Sequence, residues 1–380
     1  MIDQPIDENL AGGRLTIDLD ALVANWKMMR DHTAPVECGA VVKGNGYGCF
    51  AEPPITALYK TGCRTFFVAI PAEGIRARAV APDARIYVLN GVFEGSEGVF
   101  LEHNLTPVLS TFPGIERWVA VAKAQGRPLE CAFQVDSGMN RLGFSPREYE
   151  RLASQDHLLS HLKPTLQMTH FACADDVGHP KTDFQRENFA EISKLFPDVP
   201  RSAANTAGTW QDKANHFDLA RPGTAIFGSE ALNDVDNPWS PVVTMEGRII
   251  QIRMYEKGAG IGYGATETLK RDSRLAYVSV GYADGYHRAA SNLGVAMRAI
   301  SKGARAYYKG HFIKGVGRIS MDMCCFDVTD IPENEIGEGD WIELFGKNIP
   351  VDEVATAAGT IGYEYLVGMG HRFARNYIGG

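Results

Sequence analysis

No Cys-x-x-Cys pair occurs among the seven cysteines, Cys38, Cys49, Cys63, Cys131, Cys173, Cys324 and Cys325. Their odd number and irregular spacing argue against a disulfide framework and against a zinc site, and leave small buried hydrophobes as their reading. No metal ligand set is expected. Uninterrupted apolar runs fall short of the ~18 residues a membrane-spanning helix needs, and the amino terminus lacks the basic and apolar stretches that direct export. A cytoplasmic protein with no membrane partner is expected. Clusters of basic residues are missing too: 38 Lys and Arg against 46 Asp and Glu give a formal charge of -8. Nucleic acid is therefore not an expected partner. Nor does any Gly-x-Gly-x-x-Gly open a helix, which removes the main signal for a dinucleotide fold.

What is present is an ordinary globular composition, 45% hydrophobic and 22% charged over 380 residues, enough for a large domain and a smaller one. From Leu15 to about residue 235, short β-rich runs alternate with helical periods. Strands are expected at 14–18, 39–43, 65–70, 85–89, 106–109, 130–136, 165–170 and 201–205, with helices such as 21–32, 114–125 and 183–195 between them. Several runs are apolar with little alternation, as parallel strands covered on both faces should be. Their number is close to the eight that closes a barrel. After Asn237-Pro238-Trp239-Ser240-Pro241 helical periods nearly vanish and β-rich segments follow one another. The reading is an α/β protein: a (β/α)8 TIM-type barrel over residues 1–235, followed by a mainly β domain over 236–380.

Lys43 closes the apolar run Ala40-Val41-Val42 and precedes Gly44-Asn45-Gly46-Tyr47-Gly48. The C-terminal ends of barrel strands carry active sites, so an amine there is placed to act as a nucleophile. Local composition alone favours the start of a solvated loop, since most strand-end lysines are surface residues.

Read whole, the segment resembles the signature by which alanine racemases bind pyridoxal phosphate, with Gly44 and Gly46 where the family usually has alanine. Further segments match in order. Asp136-Ser137-Gly138-Met139-Asn140-Arg141 resembles the strand end whose Arg contacts the cofactor phenolic oxygen and the substrate carboxylate. Thr169-His170-Phe171-Ala172 resembles the segment whose His supports the hydrogen-bond network. Asn205-Thr206 and Arg221-Pro222-Gly223-Thr224 resemble the phosphate-binding and pyridine-facing segments. In the β domain, Ile261-Gly262-Tyr263 resembles the stretch with the catalytic tyrosine. Gly281-Tyr282-Ala283-Asp284, Gly317-Arg318-Ile319-Ser320-Met321-Asp322 and Gly362-Tyr363 complete a series that covers nearly the whole chain.

The resemblance implies pyridoxal 5'-phosphate held as a Schiff base by Lys43, with Tyr47, Arg141, His170, Asn205, Thr206, Arg221, Gly223, Thr224 and Tyr363 around it. Arg141, Tyr282, Met321 and Asp322 would meet substrate. It implies an alanine racemase using two bases, Lys43 and Tyr263, to supply D-alanine for peptidoglycan. It also implies a homodimer whose partner subunit delivers the tyrosine. Hydroxyls and backbone N–H groups near turns suit a phosphate dianion. Arg221 is the informative residue, because a guanidinium has no acceptor and cannot take the pyridine proton that most such enzymes stabilise with a carboxylate. The weaker electron sink suits racemisation over transamination. It also disfavours a fold III decarboxylase, a rival reading along with a serine or broad-specificity racemase and a non-catalytic cofactor-binding protein.

The chain departs from the family pattern at Gln134, where many members carry a carbamylated lysine. No carbamate is expected, and an amide, an anion or a water must orient Arg141 instead. Between Tyr282 and Gly317 the chain is longer than usual, with the surplus around 288–303.

Overall fold

The computed structural model describes residues 6–291 and 303–380, and the chain forms two compact units. One comprises Leu22–Ile226 and Glu230–Trp239; the other comprises residues up to Ala21 together with Phe227–Ser229 and Ser240–Gly379.

In the first unit seven parallel strands lie side by side in chain order: Ala40–Val41, Thr65–Val68, Arg85–Val88, Thr106–Leu109, Leu129–Gln134, Leu162–Met168 and Arg201–Ser202. An eighth, Leu219–Ala220, pairs in parallel with Glu37–Cys38, which leads into the first. Backbone bonds complete the circle. Asp218 N–H donates to the Arg201 carbonyl at 3.0 Å on one side, and Gly39 N–H donates to the Ala220 carbonyl at 3.0 Å on the other. The result is a (β/α)8 barrel of TIM type. Its interior is filled by Val41, Phe67, Tyr87, Val108, Ala132, Leu166, Met168 and Leu219, all buried. Burying each of the larger of these is worth ~1.5–3 kcal/mol.

The outer helices follow from ordinary end signals. In Phe112–Gln125 the Thr111 side chain accepts from Gly114 N–H, a proline follows in the first turn, and Gly126 closes the helix at φ 64°. Ile115, Trp118, Val119 and Ala122 form its buried stripe at helical spacing.

The second unit is mainly β. Its central strand, Val243–Tyr255, pairs with Gly13–Asp18, Ser273–Val278 and Trp341–Phe345. Gly13–Asp18 belongs here and not to the barrel: it runs antiparallel to Val243–Tyr255 and parallel to Phe373–Ile378. Its burial alternates, with Leu15 and Ile17 inside and Arg14, Thr16 and Asp18 partly exposed, whereas Thr65–Val68 is buried at every position. Residues 292–302, which hold most of the surplus length expected around 288–303, lie outside the described residues.

Candidate active site

The segment after the first barrel strand turns the wrong way for L-amino acids. Gly44, Asn45, Gly46, Tyr47 and Gly48 have φ of 64°, 55°, 64°, 51° and 80°, so the chain makes a left-handed helical turn. Gly46 N–H donates to the Val42 carbonyl at 3.0 Å and Gly48 N–H to the Gly44 carbonyl at 2.9 Å. A left-handed residue with a Cβ costs about 1–2 kcal/mol, a cost carried here by Asn45 and Tyr47. The surroundings hold the turn against it. Asn45 N–H donates to Glu73 at 3.0 Å, while Asn45 Oδ1 accepts from Ala51 N–H at 3.1 Å and from Arg76 at 2.7 Å. Lys43 stands at the entrance to this turn. Its side chain is open to solvent but recessed among protein atoms at the barrel mouth. That desolvation lowers its pKa, helped by the charges of Arg141 and Arg221 and opposed by Glu73. A lysine held towards its neutral form is a competent nucleophile and base.

Arg221 follows the last barrel strand and is buried. It donates to Ser202 Oγ at 2.5 Å, to the Thr169 carbonyl at 2.6 Å and to the Ala203 carbonyl at 3.3 Å. Burial pushes the guanidinium down to about 9, which leaves it charged at neutral pH. His170, beyond the strand Leu162–Met168, is pushed down to about 3, first by burial and then by Arg221, Arg141 and Lys43. Its ring is neutral at physiological pH. Among the described residues no hydrogen bond joins the His170 ring to Arg221, so the two are coupled through charge. Arg141 lies on a loop shaped by Asp136, whose Oδ1 accepts from Gly138 and Asn140 N–H at 2.9 and 3.1 Å. It makes no hydrogen bond among the described residues. Gln134 is buried and donates to the Leu142 carbonyl at 3.1 Å, fixing the loop beside Arg141.

A third group lies at the same ends of the last two strands. Asn205 caps the short helix Thr206–Gln211, accepting from Gly208 N–H at 2.9 Å. Thr206 Oγ1 accepts from Gly223 N–H at 2.8 Å. A Cβ at Gly223 would collide with the Tyr47 hydroxyl, so glycine there keeps Tyr47 against this turn. Thr224 Oγ1 is buried and has no hydrogen-bond partner among the described residues. A buried hydroxyl without a partner is costly. Backbone N–H groups, hydroxyls and an unsatisfied Thr224 together fit a phosphate, and the residues present therefore suit pyridoxal phosphate.

In the β unit, Tyr263 sits in the short turn Tyr263–Ala265 between Gly262 and Gly264 and is 71% exposed. Tyr282 N–H donates to the Ser320 carbonyl and Ala283 N–H to the Met321 carbonyl, both at 3.0 Å, which brings those two segments together. Tyr282 and Met321 are exposed. Arg372 clamps both segments, reaching Asp284 at 2.7 and 2.9 Å and Asp322 at 2.8 Å. Tyr363 lies in the helix Gly362–Val367 of the same unit.

The sequence reading overlooked Glu73, Ser202 and Gln185. Glu73 and Ser202 look like any surface acid or strand serine until the chain is folded. For Gln185 a signal existed: it occupies the stripe Thr182, Gln185, Phe189 and Ile192, a polar residue on the buried face of Pro180–Ile192.

The chain matches the family models for the N-terminal domain of alanine racemase over residues 17–231 and for its C-terminal domain over 242–377. It is 44% identical to the alanine racemase of Rhizobium meliloti, covering 97% of this chain and 98% of that one. The biosynthetic alanine racemase of Agrobacterium fabrum is also 44% identical, over 96% and 93%. Among solved structures, alanine racemase from Bartonella henselae with covalently bound pyridoxal phosphate superposes with a TM-score of 0.89 at 34% identity, covering 97% of this chain and all of that one. With a barrel ending in a recessed lysine and a phosphate cradle, and with both family domains matched in order, the chain belongs to the alanine racemase family.

Proposed function

We propose that this pyridoxal-phosphate-dependent alanine racemase works with two bases, Lys43 from the barrel and Tyr263 from the β unit of a partner subunit. Once its bond to Lys43 is exchanged for one to the substrate amine, which frees Lys43 Nζ, the cofactor would supply a sink for the electron pair left on the substrate Cα when its proton is removed. Thr206, Gly223, Thr224 and Tyr47 would hold its phosphate, with Asn205 fixing the helix that carries Thr206; Tyr363 of the β unit remains a candidate ligand. Arg221 would face the ring nitrogen. Its donors engage three acceptors and it has no lone pair, so the nitrogen would keep no proton and the sink would stay weak.

Arg141, which makes no hydrogen bond within the described protein, is free to take the substrate carboxylate, and Tyr282, Met321 and Asp322 of the β unit are the further candidates to meet substrate. Lys43 Nζ takes the Cα proton on one face and Tyr263 Oη returns one on the other; the reverse direction exchanges their roles. His170, neutral and near Arg221, supports the proton arrangement around Tyr263. The exposure of Tyr263 in the single chain supports delivery to a second copy in a homodimer. Among the described residues no helix is long and apolar enough to cross a membrane; our reading is a cytoplasmic enzyme that supplies D-alanine for peptidoglycan.

The observation that carries this reading is the meeting of a lysine of lowered pKa, a buried arginine and an unsatisfied Thr224 hydroxyl at one end of the barrel. It is tested by incubating the purified protein with each L-amino acid and scoring the D-enantiomer and released carbon dioxide. D-alanine as the dominant product supports it. D-serine as the dominant product overturns the substrate assignment, and carbon dioxide release overturns the reaction.

A further inference from the structure

We infer that Gln185 is a positioning residue for the reaction, holding the backbone that carries His170 and the carbonyl to which Arg221 is bound. Its side chain is fully buried. Nε2 donates to the His170 carbonyl at 2.9 Å and lies 3.4 Å from Ser137 Oγ, while Oε1 accepts from Ala172 N–H at 2.8 Å. Ser137 Oγ shares a hydrogen bond of 2.8 Å with Thr169 Oγ1, and the Thr169 carbonyl accepts from Arg221 at 2.6 Å. One amide therefore reaches the loop that leads to Arg141, the segment of His170 and, through Thr169, the guanidinium of Arg221. One helical turn on, Asn188 repeats the attachment by donating to the Ser137 carbonyl at 2.9 Å.

A glutamine at this place is not there for packing. The neighbouring buried positions Phe189 and Ile192 are apolar, and a leucine would fill the space while leaving Ala172 N–H and the His170 carbonyl without partners. What the amide adds is direction. It donates at one end and accepts at the other, so it holds two backbone groups of opposite polarity in one orientation. The inference rests on the reading of Arg221 beside the cofactor ring nitrogen. If the Thr169 carbonyl shifts, the guanidinium shifts with it. The nitrogen can then gain a proton, and the sink strengthens. The consequence is a side reaction in which the amino group passes from alanine to the cofactor, with one pyruvate released for each pyridoxamine phosphate formed.

The test compares the wild-type holoenzyme with Gln185→Leu, Gln185→Glu and Arg221→Leu. It measures kcat and KM in both directions, pyruvate released per racemisation, thermal stability, and the visible spectrum against pH. Gln185→Leu is expected to lower kcat about tenfold with little change in KM, and to raise the pyruvate fraction about tenfold. Gln185→Glu should match the wild-type spectrum where its carboxyl is protonated and can donate, and should match the leucine variant where it is ionised. If Gln185→Leu does not fold, the glutamate variant decides. Wild-type spectra and pyruvate fractions in both Gln185 variants, with Arg221→Leu altered, overturn the role of Gln185 alone, even if stability falls. An unchanged pyruvate fraction in Arg221→Leu overturns the placing of Arg221 and the inference with it.

Discussion

The backbone N–H of Asn45 donates to the carboxylate of Glu73 at 3.0 Å, so the bond that secures the left-handed turn also fixes a negative charge two residues from Lys43. Among the described residues Glu73 is the group that raises the Lys43 pKa against burial, Arg141 and Arg221. Glu73→Gln keeps one acceptor, for Asn45, and removes the charge, while losing the bond that the second carboxylate oxygen accepts from Ala69 N–H at 2.8 Å. The pKa of Lys43 falls further, and the pH above which apoprotein takes up cofactor rapidly moves down. Stopped-flow growth of the visible band against pH reads this; an unmoved profile would show that Glu73 acts through geometry alone.

Lys43→Ala removes the attachment point, and the purified protein should lose the visible absorbance of bound cofactor. A yellow protein with an unchanged spectrum would rule out Lys43.

On the proposed mechanism Tyr263→Phe removes one of two bases. Since each base serves one face, the substitution should change the solvent and substrate isotope effects differently for L- to D-alanine and for D- to L-alanine, with kcat reduced by about 100-fold or more. Equal, unaltered turnover in both directions would exclude the tyrosine.

The acid stability of the fold should depend on His170. An unfolded histidine titrates near 6.5, whereas in the folded protein it is pushed down to about 3. Folded protein thus binds fewer protons than unfolded protein between those values. The stability contribution is intact above pH 6.5 and is lost as the pH falls towards 3, by about 2 kcal/mol at pH 5. The fall in melting temperature from pH 7 to pH 5 should be smaller in His170→Gln than in wild type. An identical fall in both would assign acid sensitivity elsewhere.

Gln134 leaves no amine to carbamylate, and its amide is committed to the Leu142 carbonyl. Activity should therefore not rise with added bicarbonate at fixed pH and ionic strength. Gln134→Ala should loosen the Arg141 loop and raise KM for alanine more than it lowers kcat.

The barrel was legible because several of its strands, such as Thr65–Val68 and Thr106–Leu109, are buried at every position and spell largely apolar runs. Leu219–Ala220 was not, since two residues carry no period, and its place is set by bonds to strands far away in the chain. Strand Gly13–Asp18 fitted the alternating order and was read with the barrel. Its own pattern, Leu15 and Ile17 separated by polar residues, carries the one-sided alternation of the β unit. The contiguous motifs exposed Lys43, Arg141, His170 and Arg221, since chemistry and spacing coincide there. Glu73 escaped because its partner Asn45 lies in another segment and nothing local sets it apart from a surface acid, whereas Gln185 left one signal that went unread, a polar side chain on the buried stripe of Pro180–Ile192.

The turn after Lys43 has a further consequence. Gly44 and Gly46 stand in the mirror image of the ordinary helical conformation. An L-alanine at Gly46 would also press against the Ala51 Cα at 3.0 Å. A D-residue finds this backbone relaxed and points its methyl group the other way. Protein assembled by ligation with D-alanine at position 46 should fold more stably than the glycine form, because its unfolded chain has fewer conformations to lose. The backbone that presents Lys43 is thus, locally, built to the handedness of the enzyme's own product.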